Sequence, residues 1–155
     1  MRILIVEDEV QLSEALGAIL EKNNYIVDRV FDGESGLDYI LSDIYDGVIL
    51  DIMLPKLNGI EVLQYIRKTS KIPVLMLTAF NDDDYKIKAF SGLCDGYIEK
   101  PFSLSLLETR INALLKRHYS NYSIFNYKDC QVNFTSYKAT YKGEDVSVNR
   151  SEEHT

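Results

Sequence analysis

Short apolar runs rich in β-branched residues recur along the first part of the chain, at residues 3–6, 26–30, 48–50, 74–77 and 97–98, each followed by a segment of helical period. The first such segment is the clearest. Leu12, Ala15, Leu16, Ile19 and Leu20 fall at the i, i+3, i+4, i+7, i+8 spacing, which predicts one buried stripe on a helix. Further helices are predicted near residues 36–41, 60–67, 83–90 and 104–117, the last with Ser103 as its N-cap. Five βα units whose short strands are apolar on both faces predict a parallel sheet covered by helices on both sides. After Arg117 the period changes. Residues 122–127, 130–134, 137–141 and 146–148 are short, aromatic and alternating, which predicts an antiparallel meander with a turn at Lys142, Gly143, Glu144 and Asp145. The chain therefore reads as an α/β domain over 1–118, a linker over 119–121 and a β element over 122–155.

Composition narrows the class. A length of 155 residues suffices for one well-packed core and part of a second. The formal charge of −7 excludes this stretch as a nucleic-acid binder by itself, because phosphate contacts need clustered Lys and Arg. No apolar run approaches the roughly 18 residues of a membrane span, and the apolar N-terminus meets Glu7 at once, so neither a span nor a signal peptide is expected. The expected compartment is cytoplasmic, with no membrane partner. Cys94 and Cys130 fall in different predicted domains and read as free thiols, and two histidines in all argue against zinc.

In an open parallel sheet, ligands bind outside the carboxyl ends of the strands. Here those ends deliver Glu7 and Asp8, then Asp51, Thr78, and Glu99 with Lys100. In a flavodoxin-like strand order 2-1-3-4-5, the first and third strands are neighbours, so Glu7, Asp8 and Asp51 share one crevice. Crowded carboxylates favour a hard divalent cation with oxygen ligands, Mg²⁺ first and Mn²⁺ second. Such a cation keeps positions for phosphate oxygens, and Thr78 and Lys100 are suited to hold two more. A carboxylate nucleophile is ionised at neutral pH and needs no general base, unlike a serine or tyrosine hydroxyl. Taken singly, each residue has a plain reading: a solvated acidic loop for Glu7 and Asp8, a cap for Asp51, a strand end for Thr78, a surface lysine for Lys100. Their common edge favours the functional one, since an idle carboxylate directly after a buried strand is costly.

The same residues carry a resemblance. Glu7 and Asp8, the run Asp51, Ile52, Met53, Leu54, Pro55 with Gly59, the pair Thr78 and Ala79, and the run Tyr97, Ile98, Glu99, Lys100, Pro101, Phe102 resemble the receiver-domain motifs of two-component response regulators, in order and spacing, over residues 1–118. The resemblance implies that Asp51 accepts a phosphoryl group from a sensor histidine kinase. It implies that Asp8, Asp51 and the backbone carbonyl of Met53 bind Mg²⁺, with Glu7 acting partly through water. Thr78 and Lys100 would contact the phosphoryl group, Thr78 and Tyr97 would form the switch, and the peptide between Lys100 and Pro101 would be cis. Residues 122–155 resemble the N-terminal β platform of the OmpR/PhoB-like winged-helix regulators, so a helix-turn-helix that reads promoter DNA is expected in the intact protein and this effector domain reads as truncated.

The sequence also departs from that family. Lys86 and Arg110 match the charged face on which activated receivers pair as homodimers, but Gly96 and Leu106 stand where acids are expected. A weaker or more apolar dimer is the consequence. Three other readings stand beside this one: an aspartate-nucleophile phosphohydrolase, against which Met53 replaces the second acid of the haloacid-dehalogenase pattern; a flavin mononucleotide carrier, against which Glu7, Asp8 and Glu9 repel phosphate; and a phosphorylation-independent pseudo-receiver, against which every key position is filled. Apart from its own phosphorylation and dephosphorylation, no enzyme activity is expected.

Overall fold

The computed structural model describes residues 1–79 and 92–120, together with four strands between 124 and 147. Residues 1–120 alternate β1 (Arg2–Val6), α1 (Val10–Lys22), β2 (Ile26–Val30), α2 (Gly33–Ile40), β3 (Gly47–Asp51), α3 (Gly59–Ile66), β4 (Val74–Thr78), β5 (Gly96–Glu99) and α4 (Leu104–Ser120). Its five strands are all parallel, in the order β2-β1-β3-β4-β5, the flavodoxin-like order expected from the βα alternation. The central strands β3 and β4 are buried along their whole length, which is why they show no polar alternation.

Leu4, Val6, Val48, Leu50 and Met76 face Ile40, Val62, Leu63 and Ile66 in one core cluster beneath α2 and α3. The intervening residues Ile3, Ile5, Ile49, Leu75 and Leu77 lie on the opposite face by strand alternation, and Leu16, Leu20, Leu107 and Ile111 of α1 and α4 are buried with them. Each fully buried Leu or Ile contributes roughly 1.5–3 kcal/mol, so this double core is what holds the strand ends level. The Tyr25 hydroxyl donates to Asn112 Oδ1 and ties the end of α1 to α4.

Helix starts follow capping chemistry. Ser35 N donates to Asp32 Oδ1 at 2.8 Å, so α2 begins at Gly33, three residues before the apolar pattern would start it. Asn58 caps α3 by accepting from Glu61 N at 2.9 Å while its Nδ2 donates to Glu61 Oε1 at 2.7 Å. Leu106 N donates to Ser103 Oγ at 3.0 Å, the cap expected for α4.

Four expectations need correcting or bounding. The buried stripe of α1 consists of Ser13, Leu16, Gly17 and Leu20, while Leu12, Ala15 and Ile19 are only half-buried. A Cβ on Gly17 would sit 3.3 Å from Arg29 Cδ, a tight approach. Helix α4 runs on to Ser120 and takes in Tyr119 and Ser120 of the predicted linker, while Asn121 lies outside the described residues. The predicted turn also moves, because Glu144 and Asp145 pair with Tyr141 and Thr140, leaving Lys142 and Gly143 outside the described residues. The helix predicted at 83–90, which carries Lys86, is outside them as well.

The chain divides into two compact units, Met1–Leu114 and Leu115–Thr155. In the second, β6 (Ile124–Tyr127), β7 (Cys130–Asn133), β8 (Lys138–Tyr141) and β9 (Glu144–Ser147) form an antiparallel sheet in chain order. Its register sets Phe125, Val132, Ala139 and Val146 in one row and Asn126, Gln131, Thr140 and Asp145 in the next, the apolar-polar alternation that predicted the meander. Among the described residues no helix is long and apolar enough to cross a membrane.

Candidate metal and phosphoryl site

The sheet register assembles the site. Val6 pairs with Leu50, so Glu7 and Asp51 leave neighbouring strands at one level, and Asp51 in turn pairs with Leu77 and Thr78 with Glu99. Two further backbone bonds extend the ladder past the strand ends, Ile52 N to Leu77 O at 3.1 Å and Lys100 N to Thr78 O at 2.7 Å. The polar residues that follow each strand are thereby held by the sheet rather than by loops.

Glu7, Asp8 and Asp51 converge there, each offering a carboxylate oxygen within 4.8 Å of the others. Glu7 is completely buried and Asp51 is 4% exposed, whereas Asp8 faces solvent and opens the cluster. Lys100 reaches in from the end of β5, its Nζ 2.7 Å from Glu7 Oε1 and 3.1 Å from Asp51 Oδ2. The remaining Asp51 oxygen, Oδ1, accepts from Met53 N at 3.2 Å. Met53 itself is exposed.

The electrostatics show an excess of acid. Burial pushes the Glu7 carboxyl above the ordinary carboxylate range, and contact with Asp51 pushes the same way, against the opposing bond from Lys100. Burial and the neighbouring Glu7 also raise Asp8. Burial would lower the Lys100 ammonium, but its bond to Glu7 and the charge of Asp51 outweigh that, so it stays above its usual value and remains charged. One lysine balances one of three acids. A tight, solvent-open group of carboxylates with surplus negative charge fits a divalent cation that keeps water ligands, so the donor set suits Mg²⁺ or Mn²⁺.

Thr78 is fully buried at the end of β4, and its hydroxyl donates to Ile98 O at 3.4 Å, toward β5. Tyr97 on β5 is exposed. The peptide between Lys100 and Pro101 is cis.

Residues 3–112 match the family described as the response regulator receiver domain. This chain is a response regulator. Response regulator RR06 of Streptococcus pneumoniae is 38% identical over 152 residues, which cover 98% of this chain and 70% of that protein. Response regulator ArlR of Staphylococcus aureus is 37% identical over 151 residues, 97% of this chain and 68% of that protein. Among solved structures, the receiver domain of Francisella response regulator 1452 superposes with a TM-score of 0.69 at 32% identity, covering 76% of this chain and 98% of that one. The BeF3-activated N-terminal receiver domain of Klebsiella pneumoniae RstA gives 0.69 at 26% identity, covering 75% and 99%. The first unit is thus the receiver domain of a two-component phosphorelay, a signalling protein.

For this response regulator, the structure brings together Glu7, Asp8, Asp51 and Lys100 of the residues singled out from sequence. Thr78 and Met53 border them, and Tyr97, Leu106 and Arg110 are exposed on β5 and α4. Sequence reasoning assigned Lys100 to phosphate alone and missed its bridge between Glu7 and Asp51. Chain spacing carries no signal for that bridge, which depends on β5 lying two strands from β3.

Proposed function

We propose that Asp51 is the phosphoacceptor of this receiver and that a sensor histidine kinase is the donor. The observation that carries this is the nearly buried Asp51 carboxylate, grouped with two other acids and held by Lys100 Nζ at 3.1 Å. In the transfer, an Asp51 oxygen forms a bond to phosphorus as the bond from phosphorus to the kinase imidazole nitrogen breaks. The imidazole keeps the electron pair and takes up a proton. Asp51 is already oriented by Met53 N and Lys100, and the mobile ammonium of Lys100 can follow the incoming phosphoryl oxygens. Asp8, Asp51 and the Met53 carbonyl would hold Mg²⁺ or Mn²⁺, with Glu7 partly through water, and the bound ion supplies positive charge against the phosphoryl oxygens.

Among the described residues the Thr78 hydroxyl has only a long bond to Ile98 O, so it can turn toward a phosphoryl oxygen at small cost, and the exposed Tyr97 ring can then turn inward. Residues 122–155 serve as the N-terminal β platform of a winged-helix effector domain, with promoter DNA as target of the intact protein, divided from the receiver after the end of α4 at Ser120. The four-stranded meander and relatives aligned across it support this division. We place the protein in the cytoplasm with its kinase partner, forming a homodimer on phosphorylation.

The test is intact-mass analysis after incubation with Mg²⁺ and acetyl phosphate. One alkali-labile phosphoryl adduct, absent with EDTA, is expected. No adduct, or one indifferent to EDTA, overturns the proposal.

A further inference from the structure

The loop that follows Asp51 is clamped to the start of α2. Gly33 N donates to Pro55 O at 3.2 Å, and a Cβ built on Gly33 would lie 1.7 Å from Leu57 O, 2.6 Å from Leu57 C and 2.9 Å from Leu57 Cβ. Backbone at that range cannot yield as a flexible side chain can, so any residue other than glycine must displace the loop or the helix. Around this contact the loop is closely bonded: Leu57 N donates to Pro55 O at 2.8 Å, Leu54 N to Ile52 O at 3.1 Å and Gly59 N to Ile52 O at 2.8 Å. Lys56 adopts a positive φ of 69°, which a lysine accepts only where its surroundings fix the backbone. The charge of Lys56 also acts on Asp32, the cap that starts α2 beside Gly33. Met53 lies within this span, with its N–H on Asp51 Oδ1.

We propose that Gly33 is a positioning residue for the metal and phosphoryl site, holding the 53–57 segment, and with it the Met53 backbone, at the level of Asp51 through contact with Pro55 and Leu57. This rests on the function proposed above. Neither Gly33 nor α2 touches the reacting atoms. A loop held from one side by α2 and from the other by the Gly59 amide has no freedom to carry Met53 away from Asp51. The arrangement corresponds to the outer contacts that orient a metal's ligands, whose loss typically weakens metal binding about 10- to 100-fold.

The test compares wild type, Gly33→Ala and Ile40→Val, the last a core trim on the same helix that leaves the loop contact intact. Metal affinity is read from the Mg²⁺ concentration that half-saturates the shift of the backbone amide NMR signals around Asp51, and phosphorylation from the intact-mass adduct with acetyl phosphate. Gly33→Ala is expected to need about tenfold more Mg²⁺, with the adduct yield restored at high Mg²⁺. Ile40→Val should keep the wild-type midpoint despite its lower stability. An unchanged midpoint in folded Gly33→Ala overturns the inference.

If Gly33→Ala does not fold, amide exchange of wild type decides. Slower exchange at Gly33 on adding Mg²⁺ supports the coupling, because a site that α2 helps to form must in turn protect α2, and no change overturns it. A wild type that shows no response to Mg²⁺ and no adduct overturns the proposed function as well, whereas equal Mg²⁺ midpoints in wild type and Gly33→Ala remove only the role of Gly33.

Discussion

The two ends of the parallel sheet handle charge in opposite ways. At the end where the strands begin, charged groups are matched. Arg67, largely buried, donates from Nε to Leu93 O at 2.5 Å, from Nη1 to Ile72 O at 2.7 Å and from Nη2 to Asp95 Oδ2 at 2.9 Å. Asp95 Oδ2 also accepts from Val74 N at 2.8 Å, so one ion pair joins the end of α3, the start of β4 and the approach to β5. Nearby, Arg2 N donates to Asp46 at 2.7 Å, and Asp28 accepts from both Arg2 Nη1 and the Tyr45 hydroxyl. At the end where the strands stop, three carboxylates share one lysine and Glu7 is held above its ordinary range. One end is built for stability, while the other gives up stability so that a cation and a phosphoryl group are favoured there.

The largest expected effect breaks the matched end. Arg67→Ala leaves Asp95 and the backbone carbonyls of Ser70, Ile72 and Leu93 without their cation and should cost about 3 kcal/mol in urea unfolding. The Mg²⁺ midpoint should not move, because the clamp lies at the far end of the sheet from Asp51. A large change in Mg²⁺ affinity would show that the two ends are not separable.

The next effect has the opposite sign. Asp51→Asn removes one of three crowded charges at nearly constant shape and should stabilise the metal-free protein by about 1–2 kcal/mol. Added Mg²⁺ should raise its melting temperature far less than that of wild type. Destabilisation in EDTA would contradict the surplus of acid.

Asp32 sharpens the contrast, since it lies at the acidic end but has its own partners. Its carboxyl is held below the ordinary range first by the Ser35 backbone amide, then by the Ser35 hydroxyl and the charge of Lys56, with the Glu34 amide adding to these and slight burial opposing them. A lowered carboxylate stabilises the fold above its unfolded pKa and loses that contribution as pH falls through the folded value. Asp32→Ala should therefore cost about 1 kcal/mol at neutral pH and progressively less as acid protonates the wild type. Denaturation midpoints between neutral and acid pH check this, and a constant difference would contradict it.

The smallest effect is on the flank of β5. Gly96 and Leu106 place no acids beside Arg110, and Leu106 and Tyr97 are exposed. Exposed ion pairs are each worth under about 1 kcal/mol, so a dimer of the beryllofluoride-activated protein should be weak and nearly insensitive to salt in sedimentation. A tight dimer that salt disrupts would contradict this.

Most of the fold was legible because a buried parallel sheet writes its strands as continuous apolar runs and its helices as stripes. The site was legible because consecutive strand ends carried polar residues in one register. What escaped reading depended on contacts between distant segments. Ser13 and Gly17 are buried on α1 although neither is apolar enough to mark the inward stripe, so the hydrophobic period placed it one step away. Arg67 closes a predicted helix with no sequence mark of a further role, and its bonds to Leu93 and Asp95 exist only once β5 is laid beside β4. The end of α4 was missed because His118, Tyr119 and Ser120 carry no apolar period, although the helix continues through them.

Everything proposed for the acidic end of the sheet turns on Asp51 receiving the phosphoryl group. Borohydride reduction of the protein treated with Mg²⁺ and acetyl phosphate, followed by peptide mass mapping, tests it most directly, because reduction of an aspartyl phosphate leaves homoserine at the modified position. Homoserine is expected at residue 51 in wild type and none there in Asp51→Asn or in EDTA. Homoserine at another aspartate in wild type, or equal phosphoryl incorporation in Asp51→Asn, would contradict it.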